Sequence, residues 1–156
     1  MSYLPHAKSF RDLLAYQKAK ALAKEIFQLS KRFPREEMYS LTDQVRRCSR
    51  SIGAQIAEAW GKRLYEKHFI SKLTDADGEQ NETQHWLDTA ADCEYINTTE
   101  RAALIAKCEE IGRLLGGMIT KSEKFCSGSP YVIRDETAEY FSKANSDLDD
   151  SLITGY

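Results

Sequence analysis

The chain is poor in the residues that interrupt helices and in those that build reactive centres. It holds three prolines and eight glycines, and several of them sit near its ends. The long uninterrupted stretches that remain favour helix. No run of about 18 apolar residues occurs, so no membrane span is expected. The opening segment, Met1-Ser-Tyr-Leu-Pro-His-Ala-Lys8, lacks the apolar core of a secretion signal, and a cytoplasmic protein is expected. The four cysteines, Cys48, Cys93, Cys108 and Cys126, include no CxxC pair. They read as reduced, buried or half-buried thiols, which argues against a disulfide framework and against zinc.

Reactive constellations are equally scarce. Neither a Ser/His/Asp arrangement nor a glycine-rich phosphate loop is legible. The histidines are His6, His68 and His85. Glu82 and His85 make one Glu-x-x-His pair, whereas a diiron bundle needs two such pairs and two further glutamates. No catalytic residue, metal or cofactor is therefore expected, and the chain reads as a non-enzyme.

What is present is helical periodicity. From Ser9, with Asp12 in a capping-box arrangement, an apolar seam runs Ala15, Ala19, Leu22, Ile26, Leu29, Phe33. These steps of four and three trace one face of a helix, which Tyr16, Ala23 and Phe27 widen, and Pro34 ends it. A second helix is expected from Glu36, with seam Leu41, Val45, Cys48, Ile52, Gln55, Ala59, ending near Gly61. A third begins near Glu66 with seam Phe69, Leu73, Ala76, Gln80, Thr83, Leu87, Ala90. Thr98 or Thr99 is expected to cap a fourth, whose seam is Leu104, Cys108, Ile111, Leu115, Met118, Ser122, Phe125. Gly116-Gly117 within it reads as a close-packing or kink point.

Four such segments with short connections predict an all-α, antiparallel up-down-up-down four-helix bundle. Residues 1–126 form the bundle domain, and residues 127–156 form an acidic C-terminal extension, expected to be partly flexible. A chain of 156 residues is long enough to bury a core without staples.

Charge is strongly segmented. Residues 1–63 carry 13 Lys/Arg against 6 Asp/Glu, and residues 64–98 carry 2 against 8. Either a basic surface serves an anionic partner, or acidic and basic helices attract each other within or between copies.

The stretch Leu41-Thr-Asp-Gln-Val-Arg-Arg47 followed by Ser51-Ile-Gly-Ala-Gln-Ile-Ala-Glu-Ala-Trp-Gly-Lys-Arg63 resembles the bacterial four-helix bundle proteins encoded within intervening sequences of 23S rRNA genes. Their pattern runs Leu-Thr-x-Gln-hydrophobic-Arg-Arg, then Ser-Ile-x-x-Asn-Ile-Ala-Glu-Gly-x-Gly-Arg. The resemblance extends to Phe10-Arg-Asp-Leu13 and Phe33-Pro34 in the first segment, and to Phe69, Leu73, Glu82, Leu87 and Tyr95 in the third. Gln55 and Ala59 depart from the pattern's asparagine and glycine. The resemblance implies an up-down-up-down bundle that assembles as a ring of five, hence a homopentamer. A related accessory factor of retroelement reverse transcriptases is a nucleic-acid-binding ring, so RNA or a nucleoprotein is the implied partner. No reaction is established for the rRNA-linked members.

The residues with the best claim to a binding role are Arg46, Arg47 and Arg50, with Lys62 and Arg63 extending the charge along the same helix. A guanidinium fork suits phosphate. The same arginines could instead bind Asp75, Glu79 or Glu82 on the third helix, or one could do each job. Gln44, Gln55 and Gln80, with Glu58 and Glu82, read as a hydrogen-bond network between the second and third helices. An adaptor that meets an acidic partner protein through the basic face is the alternative to nucleic-acid binding.

Overall fold

The computed structural model describes residues 7–126; the expected C-terminal extension lies outside the described residues. Its elements are α1 (Leu14–Ser30), α2 (Leu41–Gly61), α3 (Glu66–Asp92), α4 (Thr98–Thr120) and a short α5 (Ser122–Cys126). Single 3-10 turns at Phe10–Asp12 and Arg35–Glu37 precede α1 and α2. Helix α2 packs chiefly on α3, α1 on α2, α3 on α4, and α1 meets α4 to close the bundle.

Ion pairs from α1 and the turn just after it to α4 record the antiparallel register. Lys18 meets Glu110 at 3.3 Å, Glu25 meets Lys107, and Arg32 meets Glu100 at 2.7 Å. As one number rises, the other falls. All three are exposed, so each adds little stability. The bundle is held by its interior, where the predicted seams converge. Among the largest fully buried side chains are Phe69, Leu22, Ile26, Ile52, Ile56, Leu73 and Leu87. Gln55 is the exception in its seam. It is half-buried at the α2–α3 edge, where Lys72 donates to its side-chain oxygen at 3.3 Å.

Several helix ends differ from expectation. The Ser9/Asp12 capping box exists, but it closes the first 3-10 turn. Leu13 then adopts extended backbone (φ −72°, ψ 127°) and is buried, so α1 begins at Leu14. Helix α2 starts at Leu41, later than the predicted Glu36, because Glu37 acts from outside it. The Glu37 carboxylate accepts from the Leu41 N–H at 3.2 Å and from the Tyr95 hydroxyl at 3.1 Å. A negative group beside unpaired helix N–H groups is favourable. Asn97, and neither Thr98 nor Thr99, caps α4. Its side chain accepts from the Glu100 N–H at 2.8 Å, and the Glu100 carboxylate accepts from the Asn97 N–H at 3.1 Å. Helix α4 runs unbroken through Gly116 and Gly117, and nothing lies within 4 Å of where a Cβ would stand on either. They are therefore not a close-packing point.

The α3–α4 corner carries local strain. Tyr95 N–H bonds to Ala90 O and Glu94 N–H to Ala91 O, both at 2.9 Å. This is the double bond pattern of a Schellman ending, which needs a left-handed residue. Glu94 fills that position with φ 62°, where most helices place glycine. Glu94→Gly is expected to stabilise the fold by about 0.5–1 kcal/mol, read as a higher urea midpoint. An unchanged or lower midpoint would show that the corner is not strained.

Candidate functional site

The exposed side of α2 presents residues at steps of three and four. Thr42, Asp43, Arg46, Arg47, Arg50 and Ala54 line an open groove of about 600 Å³, together with Met38 and Tyr39 from the turn before the helix. Helical spacing alone gathers these side chains on one strip.

The arginines of this strip are held in two different ways. Arg47 crosses to α3, where its guanidinium meets the Glu82 carboxylate at 2.8 Å and also donates to Gln44 at 3.1 Å. Glu82 accepts a further bond from the Trp86 indole at 3.2 Å. Arg46 and Arg50 turn towards α1. Their guanidinium carbons lie 4.8 and 5.3 Å from the Phe27 ring centre, and Lys31 Nζ lies 4.8 Å from the same centre. Arg46 Nε also donates to Ser30 Oγ at 2.7 Å, while that hydroxyl donates to Phe27 O at 3.0 Å. No described acid pairs with Arg46, Arg50 or Lys31.

Three cations thus surround one aromatic ring without a counter-charge among the described residues. Each cation–π contact is worth about 0.5–1 kcal/mol at an exposed site, whereas like charges at such spacing repel. An anion seated among them would relieve that repulsion. A guanidinium fork can grip a phosphate or a carboxylate with two bonds.

Lys62 and Arg63 stand apart from this cluster. They follow Arg50 by 12 and 13 positions, which is about 18–20 Å along a helix axis. Arg63 lies over Trp60, its guanidinium carbon 3.5 Å from the ring centre, and donates from Nε to Trp60 O at 2.8 Å. Burial draws the Arg63 guanidinium below its usual range, though an arginine remains charged there. The structure therefore brings together Arg46 and Arg50, gives Arg47 to α3, and sets Lys62 and Arg63 at the far end.

Phe27 and Lys31 belong to the cluster but were not among the sequence-predicted site residues. Their i, i+4 spacing on the first helix was a legible signal. Tyr39 was not legible, since a turn residue shows no periodicity.

The polar network differs from expectation in part. Gln55 and Glu58 do link α2 to α3 through Lys72, with Glu58 at 2.8 Å. Gln80 instead bonds within α3, donating to Asp77 at 3.0 Å and accepting from Gln84 at 2.8 Å.

Among the cysteines, Cys93 is exposed, contrary to the expected buried or half-buried thiols, whereas Cys48, Cys108 and Cys126 are buried. Burial pushes the Cys48 thiol up to about 11 and the Cys108 thiol up to about 12, so both stay protonated and non-nucleophilic at neutral pH. Glu82 is engaged by Arg47 and Trp86, while His85 is exposed against the Trp86 ring at 4.7 Å. Among the described residues, no group of three or more His, Cys, Asp or Glu gathers to hold a metal ion.

Burial, and then the neighbouring Glu82 charge, holds the Glu79 carboxyl above the usual carboxylate range, against a smaller opposing pull from Arg47. A carboxyl raised in the folded state favours the fold when protonated, and that contribution is lost as pH rises through its folded pKa. Glu79→Gln is therefore expected to raise the melting temperature at neutral pH. The gain should shrink as pH falls to about 4, where the parent's own carboxyl is protonated. A gain independent of pH would sink this reading.

No described helix is long and apolar enough to cross a membrane. No curated protein matches the chain. Among solved structures, a protein of unknown function from the S23 ribosomal protein family of Bacteroides thetaiotaomicron VPI-5482 is 31% identical. The match covers 67% of this chain and 97% of that chain, with a TM-score of 0.61. The sequence model of the 23S rRNA-intervening sequence proteins matches residues 11–117. The match spans the bundle from the first 3-10 turn almost to the end of α4, and the chain belongs to the 23S rRNA-intervening sequence protein family.

Proposed function

We propose that this protein is a non-catalytic, cytoplasmic helical bundle that binds RNA through the basic face shared by α1 and α2. The observation that carries this reading is the convergence of Lys31, Arg46 and Arg50 on Phe27 without an acidic partner among the described residues. The family's association with 23S rRNA genes agrees with an RNA partner. Assembly into a homopentameric ring, as the resemblance implies, would repeat the face. It would turn weak single contacts into useful avidity through effective concentration.

Binding of this kind is dominated by counterion release, so it weakens steeply with salt. Fluorescence anisotropy with a labelled RNA hairpin, between about 50 and 200 mM salt, tests it. A log–log slope of about −2 or steeper is expected for roughly three neutralised phosphates per subunit. Absence of binding at low salt overturns the reading. Light scattering should return a mass near five times 17.8 kDa. A monomer mass would remove the ring and its avidity.

The exposed Met38 and Tyr39 beside the groove support a second reading, an adaptor for an acidic protein, since such residues are common at protein interfaces. A salt-sensitive protein partner combined with no RNA binding would favour it.

A further inference from the structure

Tyr39 is an unusual residue to leave in water. It is a large aromatic with 91% of its surface exposed, yet the turn that carries it is tightly held. Met38 N–H bonds to Arg35 O at 3.1 Å and Ser40 N–H to Glu37 O at 3.0 Å. The Glu37 carboxylate then ties the turn to both Leu41 and Tyr95. The backbone is fixed while the ring is left without packing. A rigid aromatic of this kind offers contact area at a small entropy cost, since only two side-chain torsions must be ordered.

The groove beside this ring changes chemistry along its length. Asp43, four positions after Tyr39, lines the same groove, and no described cation pairs with it, although Arg46 and Arg47 lie three and four positions on. Arg46 and Arg50 follow one to two turns further, about 5–10 Å along the axis. An extended anion such as polyphosphate would be repelled at Asp43. A ligand with a flat ring, hydrogen-bond donors on its edge and a phosphate a few ångströms away matches all three positions.

Resting on the proposed RNA-binding role of the basic face, we infer that this groove takes an unpaired nucleotide of a single strand. Its base stacks on Tyr39, its amino or imino edge donates to Asp43, and its phosphate lies between Arg46 and Arg50. A base inside a duplex cannot use the platform, because both its faces and its Watson–Crick edge are occupied there. Stacking accepts any base, so the site discriminates strandedness more than sequence.

The test uses the full chain and three probes of about 12 nucleotides, within the usual footprint of single-strand binders. These are oligouridine RNA, its deoxy counterpart and a blunt RNA duplex. Tyr39→Ala is expected to weaken binding of the single strands by about 5- to 100-fold. Duplex binding should stay within about twofold, and Tyr39→Phe should bind as the parent does. A preference for RNA or for DNA assigns the source of the strand, and either preference supports the site. If Tyr39→Ala binds single strands like the parent while Arg46→Glu/Arg50→Glu does not, the platform is overturned and the phosphate-binding face stands. If the parent prefers the duplex, the strandedness assignment is overturned. If the parent binds none of the probes at low salt, the basic-face reading fails and this inference fails with it.

Discussion

Replacing Arg46 and Arg50 together by glutamate is expected to lower affinity for RNA by about 100-fold or more. Two charge-assisted contacts would be lost, each worth about 1.5–3 kcal/mol, and two negative charges would face the phosphates instead. The change also reaches into the fold. It removes the Arg46–Ser30 bond and two of the three cations over Phe27, so a loss of about 1–2 kcal/mol of stability is expected. Circular dichroism must therefore confirm a folded variant before binding is read. Arg47→Gln provides the contrast. Arg47 is already committed to Glu82, and its loss should change RNA affinity by less than about threefold, the scale of an exposed pair. If Arg47→Gln abolishes binding and the double reversal does not, the division of labour among the three arginines is reversed.

Phe69→Ala should produce the largest loss of stability from a single change. Phe69 has no exposed surface, and it stacks on Phe125 with ring centres 5.7 Å apart. Truncation there removes the transfer free energy of a benzyl group and leaves a cavity that helix backbones cannot close, costing about 3–5 kcal/mol. A domain stabilised by about 5–15 kcal/mol loses a large fraction of its margin. In urea, the midpoint should fall with little change in slope, because the surface exposed on unfolding is nearly the same. Tyr39→Ala serves as the surface control, expected within about 0.5 kcal/mol of the parent. A Phe69→Ala cost below about 1 kcal/mol would mean that α5 repacks into the space, and that Phe125 holds its place only loosely.

Much of the fold is legible because its determinants are periodic and local. Every seam position named on the third helix, from Phe69 to Ala90, is buried. So are Ala15, Ala19, Leu22 and Ile26 on the first. A helix turns 100° per residue whatever its surroundings, so apolar spacing reveals the inward face. Helix ends are less legible. Glu37 caps α2 from outside the helix while holding Tyr95, its neighbour in space and 58 positions away in the chain. No local pattern encodes that bond. Glu94 likewise adopts a glycine-like conformation with no glycine to announce it, because the tertiary corner between α3 and α4 demands the turn.

The candidate site divides along the same line. The sequence by itself determined that Arg46, Arg47 and Arg50 share one strip of one helix, that the first 63 residues carry the excess of positive charge, and to which family the chain belongs. All three are properties of residue order. Only the tertiary structure decided that Arg47 is spent on Glu82 while Arg46 and Arg50 remain beside Phe27 and Lys31, and that Arg63 folds back onto Trp60. The reason is geometric. Which partner a long side chain reaches depends on the rotation and register of one helix against another, and these are set by the packing of the whole core.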